Sequence, residues 1–324
     1  MESMKIIVTF VTEPRQRQWM EEFFKSKAEI EFLEDYPSEK RSDIISEGDV
    51  LLAWNPEKEG LYDLDANMYG NIRFIQLLSA GYDHINLDIF PKKTKIAANQ
   101  GAYAEPMAEH SVAMMLALSK KLWIYHNEMS TGAFKQTESV TKSIKGSVLG
   151  IVGFGSIGKR TADLLRPFGV KILAINTSGK TTEEVEFVGV LKDLDFVLKS
   201  SDMLLLSCPL TEETHNLITK QKLELMKDDA VLINVARGSI INQKDLYDHL
   251  KNHPNFYAGI DAWWVEPFKY GKFEIEHPFF DLPNLLGSPH NSAMVKDSIN
   301  LGTQKAAYNV ERFLNNESIE GLIN

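Results

Sequence analysis

Cysteine is almost absent: Cys208 stands alone in 324 residues. A single thiol excludes an intrachain disulfide, and nothing else calls for an oxidising compartment. Long apolar runs are missing too. The longest, 112–118, is far short of the roughly 20 residues that span a bilayer. Positive charge is not in excess, since 35 basic against 45 acidic side chains leave a formal net charge of −10. That balance argues against a nucleic-acid or membrane partner, because either favours a basic face. The opening Met1-Glu-Ser-Met-Lys-Ile6 lacks the basic-then-apolar order of a secretory leader. No internal repeat, low-complexity tract or Pro/Gly/Ser linker interrupts the chain. The expected location is cytoplasmic.

What is present is an ordinary globular composition, 44% hydrophobic and 25% charged, on a length that fits two domains. Apolar strands are expected over 5–10, 30–33, 49–54, 72–78 and 95–98, with a helix over 14–27. Strands alternating with helices imply parallel sheets with covered faces. A long, mostly apolar helix is expected over 104–123, with Pro106 tolerable in its first turn. A helix so apolar must be buried against a domain or a second copy, so a homodimer is expected. The polar stretch 127–145 reads as an arm or loop. Beyond it, strands are expected over 148–152, 170–175, 185–190, 202–207, 231–235, 257–262 and 284–287. Helices are expected over 191–199, 220–226, 243–251 and 301–314.

The stretch that organises this pattern is Gly153-Phe154-Gly155-Ser156-Ile157-Gly158, a G-x-G-x-x-G turn between a buried strand and a helical pattern. The first glycine allows the turn, the second a close approach to a pyrophosphate, and the third helix-on-strand packing. The helix N-terminus then offers free N–H groups to phosphate. The bland alternative is a glycine-rich turn that holds nothing. Its place between strand and helix favours a dinucleotide.

Three later strand ends carry polar groups out of apolar runs: Arg237 in Asn234-Val-Ala-Arg-Gly238, Asp261 and Glu266 in 259–267, and His290 in Gly287-Ser-Pro-His290. Open α/β sheets bind ligands at such ends. Taken singly, the arginine is a solvated cap, the histidine a turn residue, and Glu266-Pro267 a surface turn. His249 and His253 stand four apart, but no acid or cysteine completes a metal site; a solvated helix end is expected, and no metal. Cys208 has no neighbouring His or Lys to activate it.

Jointly, the glycine turn and the strand ends resemble the signatures of the D-isomer-specific 2-hydroxyacid dehydrogenase family. Matching segments include Ser79-Ala-Gly-Tyr-Asp83, 208–218 and Leu232-Ile-Asn-Val-Ala-Arg-Gly238, in order along essentially the whole chain. Ala53-Trp54-Asn55 and 78–83 look most like the glyoxylate/hydroxypyruvate reductase branch.

The resemblance implies two α/β domains. A doubly wound Rossmann-type dinucleotide-binding domain, 99–292, is inserted in a smaller flavodoxin-like substrate domain, 1–98 and 293–324. It implies hydride transfer between a nicotinamide dinucleotide and a small 2-keto acid, giving a D-2-hydroxy acid. In these roles Arg237 holds the substrate carboxylate and keto oxygen, and His290 is the general acid, or the base in reverse. Glu266 fixes the His290 tautomer, and Asp261 receives the nicotinamide carboxamide. Ser79 and the main-chain N–H groups of Ala80 and Gly81 meet the substrate, and Trp54 closes over it. The expected place for the substrate is a cleft between the domains that closes to exclude water. Along the cofactor lie Gly153 to Gly158, then Cys208, Pro209 and Thr214. Val235 and Ala236 join Arg237, Asp261 and His290 there. The rivals are a dinucleotide-sensing co-regulator and a formate- or phosphite-type dehydrogenase.

The NAD-selecting acid is expected at the end of the second strand of such a fold. Here stand Asn176, Thr177, Ser178 and Lys180, with no Asp or Glu. NADP(H) is therefore expected over NAD(H), although the arginine common in NADP-preferring relatives is absent.

Overall fold

A computed structural model describes residues 3–323. Met1, Glu2 and Asn324 lie outside that span, and with them the start of the leader reading and the outer ends of the expected substrate domain. The chain separates into two compact units, one running to Tyr103 and resuming at Lys296, the other Ala104–Val295. These breaks fall a few residues beyond 98 and 292, and local bonds explain the first. Asn99 donates its side-chain amide to Leu78 O (3.1 Å) and Gly302 O (2.8 Å), and the Tyr103 hydroxyl reaches Leu78 O (3.1 Å). Both residues are thereby tied into the first unit.

That unit comprises β1 (Lys5–Val8), α1 (Pro14–Phe24), β2 (Glu29–Phe32), α2 (Ser38–Ser46), β3 (Val50–Ala53), β4 (Phe74–Leu77) and β5 (Lys95–Ala97). Its strands are parallel in the order β2-β1-β3-β4-β5, the flavodoxin-like arrangement. β3 and β4 are buried along their whole length, as continuous apolar runs in a covered parallel sheet must be. The helix Ser38–Ser46 has no counterpart in the sequence expectations because it buries only Ile45 and so shows little apolar period.

The second unit holds α3 (Ala104–Ser119), α4 (Leu122–Ser130), β6 (Val148–Val152), α5 (Ser156–Leu165), β7 (Lys171–Ile175), β8 (Phe187–Gly189), α6 (Leu194–Ser200), β9 (Met203–Leu206), α7 (Lys220–Leu223), β10 (Val231–Asn234), α8 (Gln243–Asn252), β11 (Tyr257–Ile260), α9 (Pro267–Tyr270) and β12 (Leu285–Gly287). The seven strands are parallel in the order β12-β11-β10-β9-β6-β7-β8. The chain runs outward from β6 through β7 to β8, then returns to β9 on the other side of β6. The order therefore reverses between β6 and β9, which is where a doubly wound fold binds its ligand. α10 (Ser298–Leu314) returns to the first unit, where Gln16 of α1 donates to Thr303 Oγ1 at 2.6 Å.

Two expectations fail here for local reasons. The single helix over 104–123 is two, α3 and α4, so the arm expected from 127 begins as helix. Lys121 takes a left-handed conformation (φ +50°), the usual end of a helix. The break is held by the segment that follows: Lys142 N–H donates to Ser119 O (3.0 Å), and Lys120 Nζ to Lys142 O (2.7 Å). His249 is likewise no solvated helix end. It is buried, with its ring edge-on to Phe256 (4.6 Å) and stacked on His253 (4.0 Å). Burial, with the neighbouring His253, lowers its pKa to about 4, so it is a neutral core side chain at physiological pH.

Asn284 joins the end of α8 to the start of β12. Its buried amide donates to the carbonyls of Leu250 (2.9 Å), His253 (3.1 Å) and Phe256 (2.8 Å). Truncation strands these buried acceptors, so Asn284→Ala is expected to lower stability by about 2–3 kcal/mol. Urea denaturation measures this, and a loss below about 0.5 kcal/mol would show that water replaces the amide freely.

Candidate active site

The three glycines of the turn do different work. Gly153 has φ +95°, and a Cβ there would sit 2.4 Å from the Cys208 nitrogen. Its N–H and that of Phe154 both donate to Ile175 O (3.0 and 2.8 Å), so these amides are committed to β7. The Phe154 side chain is core, and only its backbone reaches the turn. At Gly158 a Cβ would meet Ile151 Cγ2 at 2.8 Å, the close packing of α5 on β6. A Cβ on Gly155 meets nothing within 4 Å. Space alone does not require glycine there, but the backbone lies open to a ligand. Exposed Ser156 starts α5 with no side-chain cap, and half-buried Ile157 follows. An open backbone before an uncapped helix N-terminus fits a pyrophosphate.

At the end of β7 the Asn176 side chain is turned inward on its own loop. Its Oδ1 accepts from Gly179 N–H (2.7 Å) and Ser178 N–H (3.1 Å), and its amide donates to Lys180 O (2.9 Å). Thr177, Ser178 and Lys180 remain exposed. Cys208, just past β9, is buried, and burial pushes its thiol up to about 11, which leaves it inert as a nucleophile. Pro209 is exposed, and Thr214 closes the turn after it by donating to Pro209 O at 2.7 Å.

The densest polar network surrounds Asp261, fully buried at the end of β11. Its Oδ1 accepts from Ser288 Oγ (2.6 Å) and Asn291 N–H (3.0 Å), and its Oδ2 from Ser292 N–H (3.1 Å). Its carbonyl accepts from His290 N–H (2.9 Å). Burial is the largest influence on the Asp261 carboxyl and pushes its pKa up. The hydrogen bonds from Ser288 and Ser292, with nearby His110, outweigh it together, and the net shift is downward. The carboxylate is held ionised.

His290 follows with φ +51°. Its Nδ1 lies 2.8 Å from Oε1 of buried Glu266, which also accepts from Trp263 N–H at 2.8 Å. A carboxylate oxygen already bonded to an N–H is an acceptor toward Nδ1, so the other ring nitrogen, Nε2, is left to exchange a proton. Phe268 meets the ring edge-on at 5.4 Å. Glu266 is thus no surface turn; it is a partner of His290.

Arg237 stands beyond β10, partly buried, with Nη1 donating to Ala236 O at 2.8 Å. Buried Asn234 sets its backbone by donating to Arg237 O (2.8 Å) and accepting from Ala236 N–H (3.0 Å). Val235 and Ala236 between them are buried. In the first unit, Trp54 follows β3 and Ser79, Ala80 and Gly81 follow its neighbour β4, so all four share one end of that sheet. The N–H groups of Ala80 and Gly81 make no intramolecular hydrogen bond among the described residues. The buried Ser79 hydroxyl is also without a partner there.

Sequence reasoning missed Ser288 and His110. Ser288 gives its single proton to Asp261, so His110 Nε2, 3.0 Å from Ser288 Oγ, is the donor in that pair. A polar residue within the apolar stretch of α3 was the available signal for His110.

Comparison with known proteins identifies the family. Residues 112–292 match the family model of the D-isomer specific 2-hydroxyacid dehydrogenase, NAD binding domain. A hydroxypyruvate reductase of Thermotoga maritima is 30% identical over 84% of this chain and 87% of its own. A glyoxylate reductase of Pyrococcus furiosus is 26% identical over 99% of this chain and 95% of its own. Among solved structures, a D-isomer specific 2-hydroxyacid dehydrogenase family protein from Aeromonas salmonicida superimposes with a TM-score of 0.82, at 25% identity over 100% of this chain and 99% of its own. The chain belongs to the D-isomer-specific 2-hydroxyacid dehydrogenase family.

Proposed function

We propose that this enzyme reduces glyoxylate and hydroxypyruvate to their 2-hydroxy acids, the D isomer where one is formed, with NADPH preferred to NADH. As a member of its family it is an oxidoreductase that moves a hydride between a nicotinamide dinucleotide and a small 2-keto acid. The observation that carries the keto-acid reduction is the His290–Glu266 pair, held beside Asp261 at the strand ends of the second unit. The second unit, 104–295, is the dinucleotide-binding domain and the first the substrate-binding domain. The turn from Gly155 to Gly158 would hold the pyrophosphate through N–H groups past Gly155, whose own N–H donates to Gly153 O (2.8 Å), and Asp261 would hold the carboxamide. Cys208, Pro209, Thr214, Val235 and Ala236 flank the same ligand. Bound there, the nicotinamide supplies hydride to the keto carbon.

The chain's own groups do the rest. The planar Arg237 guanidinium grips carboxylate and keto oxygen through directed N–H bonds. In the first unit, the free N–H groups of Ala80 and Gly81, with the Ser79 hydroxyl, are the donors offered to a substrate carboxylate, and Trp54, at the same end of that sheet, bounds them. His290 delivers its Nε2 proton to the oxygen as negative charge develops on it. Glu266 keeps the ring oriented and stabilises the cation before transfer.

The preference for NADPH is supported by the strand end at 176–180, which has no carboxylate to repel a 2′-phosphate. Asn176 shapes that loop, and exposed Thr177, Ser178 and Lys180 are the groups offered to the phosphate. A cytoplasmic homodimer completes the proposal. The pairing surface is the exposed Leu122 and Met129 of α4, with Phe134 and Val140 beyond it. A second copy is the occupant because four large apolar side chains on α4 and the segment after it are left exposed.

Steady-state kinetics with keto acids of increasing size test the activity. Glyoxylate and hydroxypyruvate are expected to give the highest kcat/KM, and NADPH to exceed NADH by about tenfold, worth ~1.4 kcal/mol. A higher value with NADH would overturn the cofactor preference. In the same assay His290→Asn should lose about 10²–10⁴-fold in kcat while still binding NADPH, and undiminished turnover would remove His290 as the proton donor. Sedimentation at micromolar concentration should give a dimer, and a monomer would contradict that assignment.

A further inference from the structure

Glu59 is an acid that the proposed chemistry does not use, and it makes an unusually complete set of bonds. It lies in the turn after β3, and its Oε1 accepts from the N–H groups of Trp54 (3.0 Å) and Asn55 (2.5 Å). Its Oε2 lies 2.5 Å from the hydroxyl of Thr9, which is buried at the end of β1 and 3.2 Å from Leu52 O. One side chain therefore ties the ends of two adjacent strands to the residue that follows β3, Trp54. The turn is closed independently by Glu59 N–H to Asn55 O (3.0 Å) and Lys58 N–H to Asn55 Oδ1 (3.2 Å). The Trp54 ring, 39% exposed, rests edge-on against buried Phe10 at 6.3 Å. An exposed tryptophan held by both backbone and ring is a fixed wall.

We propose that Glu59 is a positioning residue that fixes the Trp54 corner and thereby sets the size of keto acid the enzyme accepts. The inference rests on the reading above that Trp54 bounds the substrate site. Both carboxyl oxygens accept: Oε1 takes the two N–H groups and Oε2 takes the Thr9 hydroxyl. Burial raises the Glu59 pKa, and the bonds from Thr9, Asn55 and Trp54 oppose it. An amide keeps the same contacts: its oxygen accepts the two N–H groups, and its NH₂ donates to Thr9, whose own proton then turns to Leu52 O. A methyl reproduces none.

The test compares Glu59→Gln and Glu59→Ala in the full chain by two readouts. The first is acrylamide quenching of Trp54, taken as the difference between each protein and its Trp54→Phe counterpart. The second is the ratio of kcat/KM for hydroxypyruvate to that for the branched 4-methyl-2-oxopentanoate, with the KM for NADPH as a control. Glu59→Ala should raise Trp54 quenching and lower the ratio by about fivefold or more, near 1 kcal/mol of discrimination, leaving the NADPH KM within about twofold. Glu59→Gln should match the parent in both. Unchanged quenching in Glu59→Ala would overturn the clamp, and increased quenching with an unchanged ratio would overturn the role in specificity. Should Glu59→Ala not fold, Thr9→Val removes only the hydroxyl partner and should move both readouts in the same direction; no movement counts against the proposal. If the parent chain turns over neither keto acid, the functional reading falls and takes the specificity role with it, whereas the quenching difference still reads the clamp by itself.

Discussion

One buried carboxylate governs the functional end of the second unit. Asp261 receives a hydroxyl and two N–H groups on its carboxylate and a third N–H on its carbonyl, all from residues 288–292. Taking a charge out of water is costly, and these bonds offset the cost. They also hold His290 at φ +51°, a conformation that costs a non-glycine residue about 1–2 kcal/mol. Its reward is direction: in that conformation Nδ1 meets Glu266 and Nε2 is left for chemistry. Because the Asp261 pKa is depressed, its contribution is present at neutral pH and is lost in acid, as the carboxyl takes up a proton.

The same economy runs through the dinucleotide turn. Gly153 and Gly158 are small because backbone and side chains crowd them, whereas the space around Gly155 is open. The fold itself requires two of the glycines and leaves the third unconstrained. His110 extends the logic from α3 by donating to Ser288, which keeps the serine proton on Asp261. A helix with an otherwise apolar role thus reaches into the strand-end chemistry through one side chain.

How far the sequence revealed this depends on the range of each interaction. Strands such as Val148–Val152 were legible to the residue because a covered parallel strand is a continuous apolar run bounded by turn residues. Arg237, Asp261, Glu266 and His290 were legible as polar residues breaking out of such runs. The break at Lys121 was not, because it is fixed by Lys142, a residue 21 positions away. The burial of His249 was hidden for the same reason, since Phe256 belongs to the next strand's approach. Glu59 was beyond reach, because Thr9, 50 positions away, becomes its neighbour only once β1 and β3 are known to pair.

The central claim is that Asp261 joins cofactor recognition to the placement of the proton donor. Asp261→Asn tests it most directly, since it preserves size while removing the charge and one acceptor oxygen. The variant should keep its circular dichroism yet lose kcat for hydroxypyruvate by about two orders of magnitude or more. A folded Asp261→Asn enzyme with kcat within about twofold of the parent would contradict the account.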